Sequence, residues 1–305
     1  MNEVLLIGNG FNRLGEDNSW NKLLIELTAG LDGIILENKS FPLLFEQILM
    51  TKQAKTKGDI KAIENEMLDK VIKFSKKIKS SDILKEFTSL SNTILTTNYD
   101  YLIEQNISSE NFENISISKE AMYSLYRVNQ ANKKKIWHIH GELNWKKSIC
   151  LGYERYGANI QKVRNFILQG VTLNEKKENE LKIDSLKRRL ESNNFESRSW
   201  VDYFFMSDIS IVGLGLDYHE MDLWWLLDYR VREKSKGIKR ITNEIKYYCT
   251  DIEHQDDRMR VLKSLGVNTI PIQIEKQADG KLNYYKFYED VLLDIQKRRK
   301  PIISS

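Results

Sequence analysis

The sequence predicts an α/β fold in which helices cover a doubly wound, mostly parallel sheet. Short apolar runs rich in β-branched residues alternate along the chain with longer stretches of helical periodicity. Several of these runs lead directly into glycine or small polar residues, as strands do before tight turns. The composition agrees with a globular α/β protein, since 41% of the 305 residues are hydrophobic and 30% are charged.

Six short segments are predicted to form the strands. Residues 3–8 and 93–97 are the clearest, because they are apolar or β-branched and have the length of strands buried on both faces. The complete set is residues 3–8, 93–97, 135–140, 208–215, 244–250 and 269–274.

Helical periodicity occupies the segments between the strands. Ser19 has the residue type of an N-cap, and residues 41–87 repeat apolar side chains at steps of three and four. Residues 151–200 return to helix and include a charged stretch at 176–191, which we expect to form an exposed helix or hairpin arm. A Trp-rich helix over 221–230 and a helix over 256–265, ended by Gly266, follow. We therefore expect one domain over 1–305, with helical insertions at about 20–90 and 151–200.

Charge, cysteine content and hydropathy exclude several classes of protein. The net charge of +4 does not call for nucleic acid, and we expect no direct nucleic-acid binding. Cys150 and Cys249 alone cannot form a tetrathiolate zinc site. No signal-peptide pattern is present, and no apolar run reaches about 18–20 residues. We therefore expect a cytoplasmic protein that does not bind membranes.

The first strand leads into Gly8, Asn9 and Gly10. Glycine lets a backbone approach a pyrophosphate closely, and the N–H groups that follow favour an anion. The third glycine of the dinucleotide fingerprint is not in its usual place, although Gly15 lies nearby. A tight turn without a ligand explains the same residues, so both interpretations stand.

Asn98 and Asp100 follow the second strand, with Tyr99 between them. If the chain is still extended there, the amide and the carboxylate share one face and Tyr99 lies on the other. Such a pair can hold a ribose or a carboxamide and orient a water molecule. Asp100 also has the position of an N-cap for the next helix, and the two roles are compatible.

His138 and His140 close the third strand and should share a face by strand alternation, with Gly141 freeing the backbone beside them. A histidine near neutrality at a strand end is a natural general base for a hydroxyl or a water molecule. A histidine pair could also bind a metal, but no third ligand is evident. A buried histidine with satisfied hydrogen bonds is the remaining alternative.

The later strands end in a similar way. Gly213 and Gly215, followed by Asp217, repeat the glycine pattern of the first strand. Asp251 follows the next strand, where an acid can bind a ribose diol or cap a turn.

Together these motifs resemble the sirtuin-like superfamily. The Thr96–Asp100 stretch is similar to the Thr-Gln-Asn-Ile-Asp motif of sirtuins, His140–Gly141 to their catalytic His-Gly, Gly8–Gly10 to their first glycine turn, and Gly213–Asp217 to their adenosine-ribose loop. The four-cysteine zinc module is absent. The stretches Ser19–Leu24 and Leu151–Gly157 resemble bacterial sirtuin-like proteins of antiphage defence, and Leu6–Phe11 is similar to AbiH-type abortive-infection proteins. The resemblance implies a Rossmann-like, sirtuin/DHS-like NAD-binding fold without a zinc module.

The resemblance also implies that the chain hydrolyses NAD+, its substrate, and stops an infected cell by depleting it. No metal is needed, because nicotinamide leaves from a cationic ring. The resemblance implies that the hydrolysis of NAD+ is regulated by formation of a homo-oligomer or by a partner such as a HerA-type ATPase or another defence protein. The implied catalytic residues are Asn98, Asp100 and His140. The residues implied to bind NAD+ are Gly8, Asn9, Gly10, Phe11, Asn12, Thr97, Gly141, Gly213, Gly215 and Asp251.

Two other functions compete with hydrolysis. A non-catalytic sensor or adaptor subunit of a defence complex would bind NAD+ or ADP-ribose without turnover. A protein deacylase would transfer an acyl group from lysine to ADP-ribose, and the missing zinc module counts against it.

Overall fold

A computed structural model of the protein describes residues 3–15, 20–36, 39–108, 111–117, 125–174, 180–192, 195–237 and 240–299. The predicted N-cap Ser19 lies outside these residues. The strands are β1 (Val4–Ile7), β2 (Thr93–Thr96), β3 (Glu113–Asn114), β4 (Asn129–Ala131), β5 (Lys134–His138), β6 (Val171–Asn174), β7 (Glu180–Ile183), β8 (Ile209–Val212), β9 (Ile245–Thr250) and β10 (Val267–Ile272). The helices are α1 (Trp20–Thr28), α2 (Phe41–Thr56), α3 (Ile60–Ser75), α4 (Asp82–Ser89), α5 (Leu102–Ile107), α6 (Gly152–Leu168), α7 (Leu186–Glu191), α8 (Trp200–Met206), α9 (Met221–Ser235), α10 (Asp257–Ser264) and α11 (Tyr284–Arg299).

The main sheet of the described residues has eight strands in the order β10-β9-β8-β1-β2-β5-β4-β3. The strands from β10 to β5 are parallel, and β4 and β3 add antiparallel pairs at one edge. From β1 the chain builds outward to β5 and then returns to the other side of β1 at β8. The topological switch point therefore lies between β1 and β8, where open α/β sheets bind ligands. The predicted doubly wound, mostly parallel α/β sheet is confirmed, and its architecture is Rossmann-like.

Alternate residues of the central strands supply two hydrophobic cores on opposite faces of the sheet. In β1, Val4 and Leu6 pack with α6, α8 and α9, on what we call the α9 face. Leu5 and Ile7 pack with α4, α5 and α11, on the α5 face. Burial on both faces explains why these strands are apolar throughout instead of alternating with polar residues.

Helices α1, α2 and α3 form a third core beside the sheet. Leu23, Phe45 and Met67 are among its buried members, and it also contains Leu143 and Ile149 from the segment after β5. Helices therefore form in the predicted stretch at 20–90, but α4 packs on the sheet itself. No described helix has the length and apolar character needed to cross a membrane.

The structure departs from the sequence predictions at several elements, and β3, β4 and β6 were not predicted. The third strand ends at His138 instead of residue 140. The charged stretch at 176–191 was predicted to form an exposed helix or a hairpin arm, and its described residues form β7, which pairs with β6 in a hairpin, and the short helix α7. Helix α11 was not predicted, although Phe287, Val291 and Ile295 recur at four-residue steps and are buried on the α5 face.

Candidate active site

The two glycine loops meet at the switch point. The N–H of Gly8 donates to the last residue of β8 at 3.0 Å, and the N–H of Gly10 donates to the carbonyl of Gly213 at 2.7 Å. A Cβ on Gly8 would lie 2.4 Å from Cα of Leu214, and one on Gly10 would lie 2.2 Å from Oη of Tyr288. Glycine is therefore required here because the two loops touch. Their role toward a pyrophosphate stays a prediction, and these two N–H groups already have partners.

The residues after Gly10 are held inside the protein. Phe11 is buried and stacks on Tyr288, with ring centroids 4.2 Å apart. Asn12 is also buried, and its Nδ2 donates to Oδ2 of Asp100 at 2.8 Å. Asn9 is half-buried. Of the residues that the resemblance assigns to NAD+ in this loop, Phe11 therefore has a packing role of its own, and Asn12 positions a predicted catalytic carboxylate.

Asn98 and Asp100 both contact the loop after β1. Nδ2 of Asn98 donates to the carbonyl of Gly8 at 3.4 Å, while its buried Oδ1 makes no hydrogen bond. Oδ1 of Asp100 accepts from the N–H of Leu102 at 3.1 Å, at the start of α5. Tyr99 turns the other way, and its hydroxyl donates to a backbone carbonyl. Asp100 thus accepts hydrogen bonds from a backbone N–H at the start of α5 and from the side-chain amide of Asn12.

Burial governs the ionisation of Asp100. Desolvation raises the pKa of its carboxyl, and the hydrogen bonds from Leu102 and Asn12 oppose that shift. Thr97, which precedes Asn98, is half-buried, and its N–H donates to the end of β1 at 3.4 Å. The loop after β2 is therefore tied to the loop after β1 by both backbone and side chains.

His138 is a positioning residue for the loop that carries Asn98. Its Nδ1 donates to the Asn98 carbonyl at 2.8 Å, and its Nε2 lies 2.8 Å from Oε1 of Glu104 on α5. Burial lowers the pKa of His138, but Glu104 and the other hydrogen-bond partner outweigh it and raise the pKa to about 9. The ring therefore carries a proton on each nitrogen near neutral pH.

His140 lies between two acids that the sequence analysis did not single out. Its Nε2 is 3.0 Å from Oδ2 of Asp222, and its Nδ1 is 3.5 Å from Oε2 of Glu220. The ring is only 2% exposed, and the edge of Tyr156 packs against it with centroids 5.4 Å apart. Burial lowers the pKa of His140, but Asp222 and then Glu220 raise it to about 9. The imidazole is therefore held in its protonated form.

The two acids differ in their own ionisation. Burial disfavours the charged form of Asp222, but His140 outweighs it and lowers the pKa of this carboxyl. Asp222 also accepts a hydrogen bond from Nδ2 of Asn159 at 2.7 Å. Burial raises the pKa of Glu220 to about 7, and its buried Oε2 makes no hydrogen bond. Glu220 is therefore the group of this cluster that exchanges a proton near neutrality.

His140, Glu220 and Asp222 have the residue types of a metal site, and their nearest ligand atoms lie within 4.8 Å of one another. The geometry argues for a different arrangement. The acids face opposite nitrogens of one ring, Asp222 at Nε2 and Glu220 at Nδ1, which is how two carboxylates pair with a protonated imidazole. The cluster is better described as an imidazolium clamped by two carboxylates.

The prediction that His138 and His140 share a face is wrong. His138 pairs with Glu104 on α5, whereas His140 pairs with Asp222 on α9, and these helices cover opposite faces of the sheet. The reason is that β5 ends at His138, so strand alternation does not extend to residue 140. Asn98 and His140 also share no hydrogen-bond partner, because Asn98 contacts the Gly8 carbonyl and His140 contacts Asp222.

The remaining predicted residues lie in turns. Gly141 has φ +98°, and a Cβ there would lie 2.2 Å from the carbonyl oxygen of Ser148. Gly213 has φ +67°, while Gly215 is exposed in the loop after β8. Asp251 is exposed after β9 and accepts a hydrogen bond from the N–H of Ile274 at 3.0 Å. Asp251 therefore ties the loop after β9 to the segment after β10, and its role at a ribose stays a prediction.

Sequence reasoning missed Glu104, Asn159, Glu220 and Asp222. Glu220 and Asp222 flank the start of α9 just after the second glycine loop, and that position was the available clue. Glu220 and Asp222 lie 80 and 82 positions from His140 in the sequence, and no local pattern encodes these contacts.

Comparison with known proteins finds one family model that matches part of the chain. The family described as SIR2-like domain matches residues 92–194, from the start of β2 to just beyond α7. This region contains Asn98, Asp100, His140 and Gly141. No curated protein matches the chain. The match supports a sirtuin-like family and an NAD-related function. The glycine loops, Glu220 and Asp222 lie outside the matched region.

Proposed function

We propose that this protein is an NAD+ glycohydrolase, which uses water to release nicotinamide and ADP-ribose. The observation that carries the proposal is the clamp of His140 between Asp222 and Glu220, because His140 lies within the SIR2-like region in the turn after β5. Buried acids around such a site stabilise positive charge that develops on a sugar. The switch point between β1 and β8 supports a dinucleotide lying along the ends of the strands.

In the proposed reaction, the bond between C1′ of the ribose and the nicotinamide nitrogen breaks, and its electron pair leaves with nicotinamide. A water molecule then bonds to C1′ and loses one proton, so that NAD+ and water give nicotinamide, ADP-ribose and H+. We assign the proton to Glu220, because a base must be unprotonated near neutral pH and the pKa of this carboxyl is about 7. The protonated His140 holds the carboxylates in place.

Asn98 and Asp100 complete the proposed site. The buried Oδ1 of Asn98 has no hydrogen bond and would accept one from a ribose hydroxyl or from the attacking water. Asp100, fixed by Asn12 and by the start of α5, would face the nicotinamide end. In this proposal NAD+ contacts both Asn98 and His140, which share no hydrogen-bond partner in the structure.

The site is closed in this structure, since His140 is 2% exposed and Asn98 is 6% exposed. NAD+ therefore has to enter through a local opening. Such closure agrees with the resemblance, which implies a defence enzyme that is silent until it assembles. In this proposal NAD+ depletion serves antiphage defence, and a homo-oligomer or a partner such as a HerA-type ATPase opens the site.

The closed site also favours a second function, that of a non-catalytic sensor or adaptor that binds NAD+ or ADP-ribose. Calorimetry of the purified full chain with NAD+, followed by chromatography of the recovered ligand, separates the two. Hydrolysis predicts free nicotinamide in equal amount to ADP-ribose, with the product lost in both His140→Ala and Asn98→Ala. Binding with intact NAD+ recovered, alone and with a co-expressed partner, would instead establish the sensor.

A further inference from the structure

A cleft of about 590 Å³ opens at the antiparallel edge of the sheet. Its walls come from α5, β3, β4 and the segment that follows β5, and none of the residues assigned to NAD+ lines it. The volume falls within the range of small-molecule sites. The SIR2-like motifs do not account for this cleft.

The floor of the cleft contains a buried carboxylate with one free acceptor atom. Glu142 is 1% exposed, and its Oε2 accepts a hydrogen bond from Nδ2 of Asn129 at 3.0 Å. Its Oε1 makes no geometric hydrogen bond and lies 3.3 Å from Nε of Arg127 in an ion pair, and the hydroxyl of Tyr101 also interacts with this carboxylate. A buried acceptor without a hydrogen bond is costly in an empty site and is satisfied by a ligand N–H or O–H.

This floor is held in place by further hydrogen bonds. Asn129 also donates to Oε1 of Glu104 at 3.0 Å, and its Oδ1 accepts from Nδ2 of Asn114 at 3.2 Å. Glu104 in turn pairs with His138. The acceptor on Glu142 is therefore presented by a network fixed on both sides, as a pre-organised binding site requires.

The walls combine aromatic rings with side-chain amides. Tyr101 and Phe112 have ring centroids 4.8 Å apart, and the ring of Trp145 packs on the guanidinium of Arg127 at 4.9 Å. Among the lining amides are Gln105, Asn111 and Asn144, all of them exposed. Rings of this kind stack on nucleobases, while amides and carboxylates pair with the donors and acceptors on base edges.

The charge of the cleft selects against phosphate. No Lys, Arg or His is among the described residues that line it, and Arg127 lies behind Glu142 with 4% exposure. A phosphate would meet the carboxylate without a cation to balance it. We propose that this cleft binds an uncharged nucleoside, with its base against the aromatic wall and a base amine or ribose hydroxyl donating to Oε1 of Glu142. This proposal does not depend on NAD+ hydrolysis.

The test is direct binding to the purified full chain without NAD+. Adenosine and cytidine are titrated by calorimetry and by saturation-transfer NMR. AMP and maltose are titrated in the same way as comparison ligands, one a charged nucleotide and the other a sugar. We expect saturable binding of a nucleoside and at least about tenfold weaker binding of AMP, because the phosphate has no cationic partner. Preferential binding of maltose, or no binding of either nucleoside at millimolar concentration, would overturn the proposal.

Two variants locate the ligand. Trp145→Ala removes a stacking surface, and Asn144→Ala removes an exposed amide. Trp145→Ala should lower the affinity for adenosine at least about tenfold. The matched control is Asn268→Ala, an exposed amide on β10 at the other edge of the sheet, paired with Glu244. If all three variants bind adenosine like the parent, the ligand lies elsewhere and the assignment of this cleft is wrong.

Discussion

Nε2 of His140 lies 3.0 Å from Oδ2 of Asp222, and both side chains are buried. This contact joins the turn after β5 to the first turn of α9. It makes the charge of the imidazole depend on a residue outside the SIR2-like region.

Asp222→Asn should lower the pKa of His140 from about 9 toward its ordinary value, because burial then acts with less opposition. The measurement is an NMR titration of the imidazole resonances. The control is Asp228→Asn, on the same helix but in an exposed ion pair with Arg232. An unchanged His140 titration in Asp222→Asn would show that this carboxylate does not set the charge of the ring.

Glu220→Gln should abolish the pH dependence of NAD+ hydrolysis near neutrality. In the parent protein, activity should rise as pH increases through about 7, because Glu220 must lose its proton to act as a base. The measurement is kcat/KM from pH 5.5 to 8.5, with the exposed Glu244→Gln as control. Retention of the same profile at full rate in Glu220→Gln would assign the base to another group.

His138 should make stability fall in alkali. Its pKa is raised to about 9 in the folded protein, so its protonation stabilises the fold fully below about 6.5, the unfolded value. That contribution, of the order of 3 kcal/mol, is lost as pH rises through about 9. Urea unfolding of the parent and of His138→Gln from pH 6 to 10 measures it. The stability difference between the two should shrink with pH.

Gly10→Ala should destabilise the protein by about 1–3 kcal/mol, because the new methyl group overlaps both Tyr288 and the Gly213 carbonyl. Thermal and urea unfolding measure the change. Gly215→Ala is the matched control, since its nearest neighbour atom lies 3.8 Å from the added Cβ. Adding Tyr288→Phe to Gly10→Ala should restore part of the loss. Equal stability of both single variants would mean that the two glycine loops are not in firm contact.

Much of the fold follows from patterns within short windows of the sequence. The apolar runs at 3–8, 93–97 and 208–215 contain β1, β2 and β8, because strands buried on both faces have a distinctive composition. Gly266 ends α10 with φ +71°, as its position predicts. β2 ends at Thr96, so strand alternation alone does not place Asn98 and Asp100 on one face, although both contact the loop after β1. Helix α11 was missed, because its apolar positions are separated by charged and tyrosine residues.

The hydrogen-bond partners of His138 and His140 could not be predicted from patterns within short windows of the sequence. His138 and His140 are two positions apart, and strand alternation placed them on one face. The turn after β5 instead directs one ring to Glu104 on α5 and the other to Asp222 on α9. Such contacts depend on how helices from distant parts of the chain pack on the sheet.

By itself, the sequence determined the six parallel strands of the main sheet, the glycine turns at strand ends and the identity of the polar residues that follow them. These properties depend on backbone preferences and on burial within a few neighbouring residues. Only the tertiary structure decided which acid meets which imidazole, and that the glycine loops touch each other. It did so because those contacts and their pKa shifts arise where separate helices bury charged groups together against the sheet.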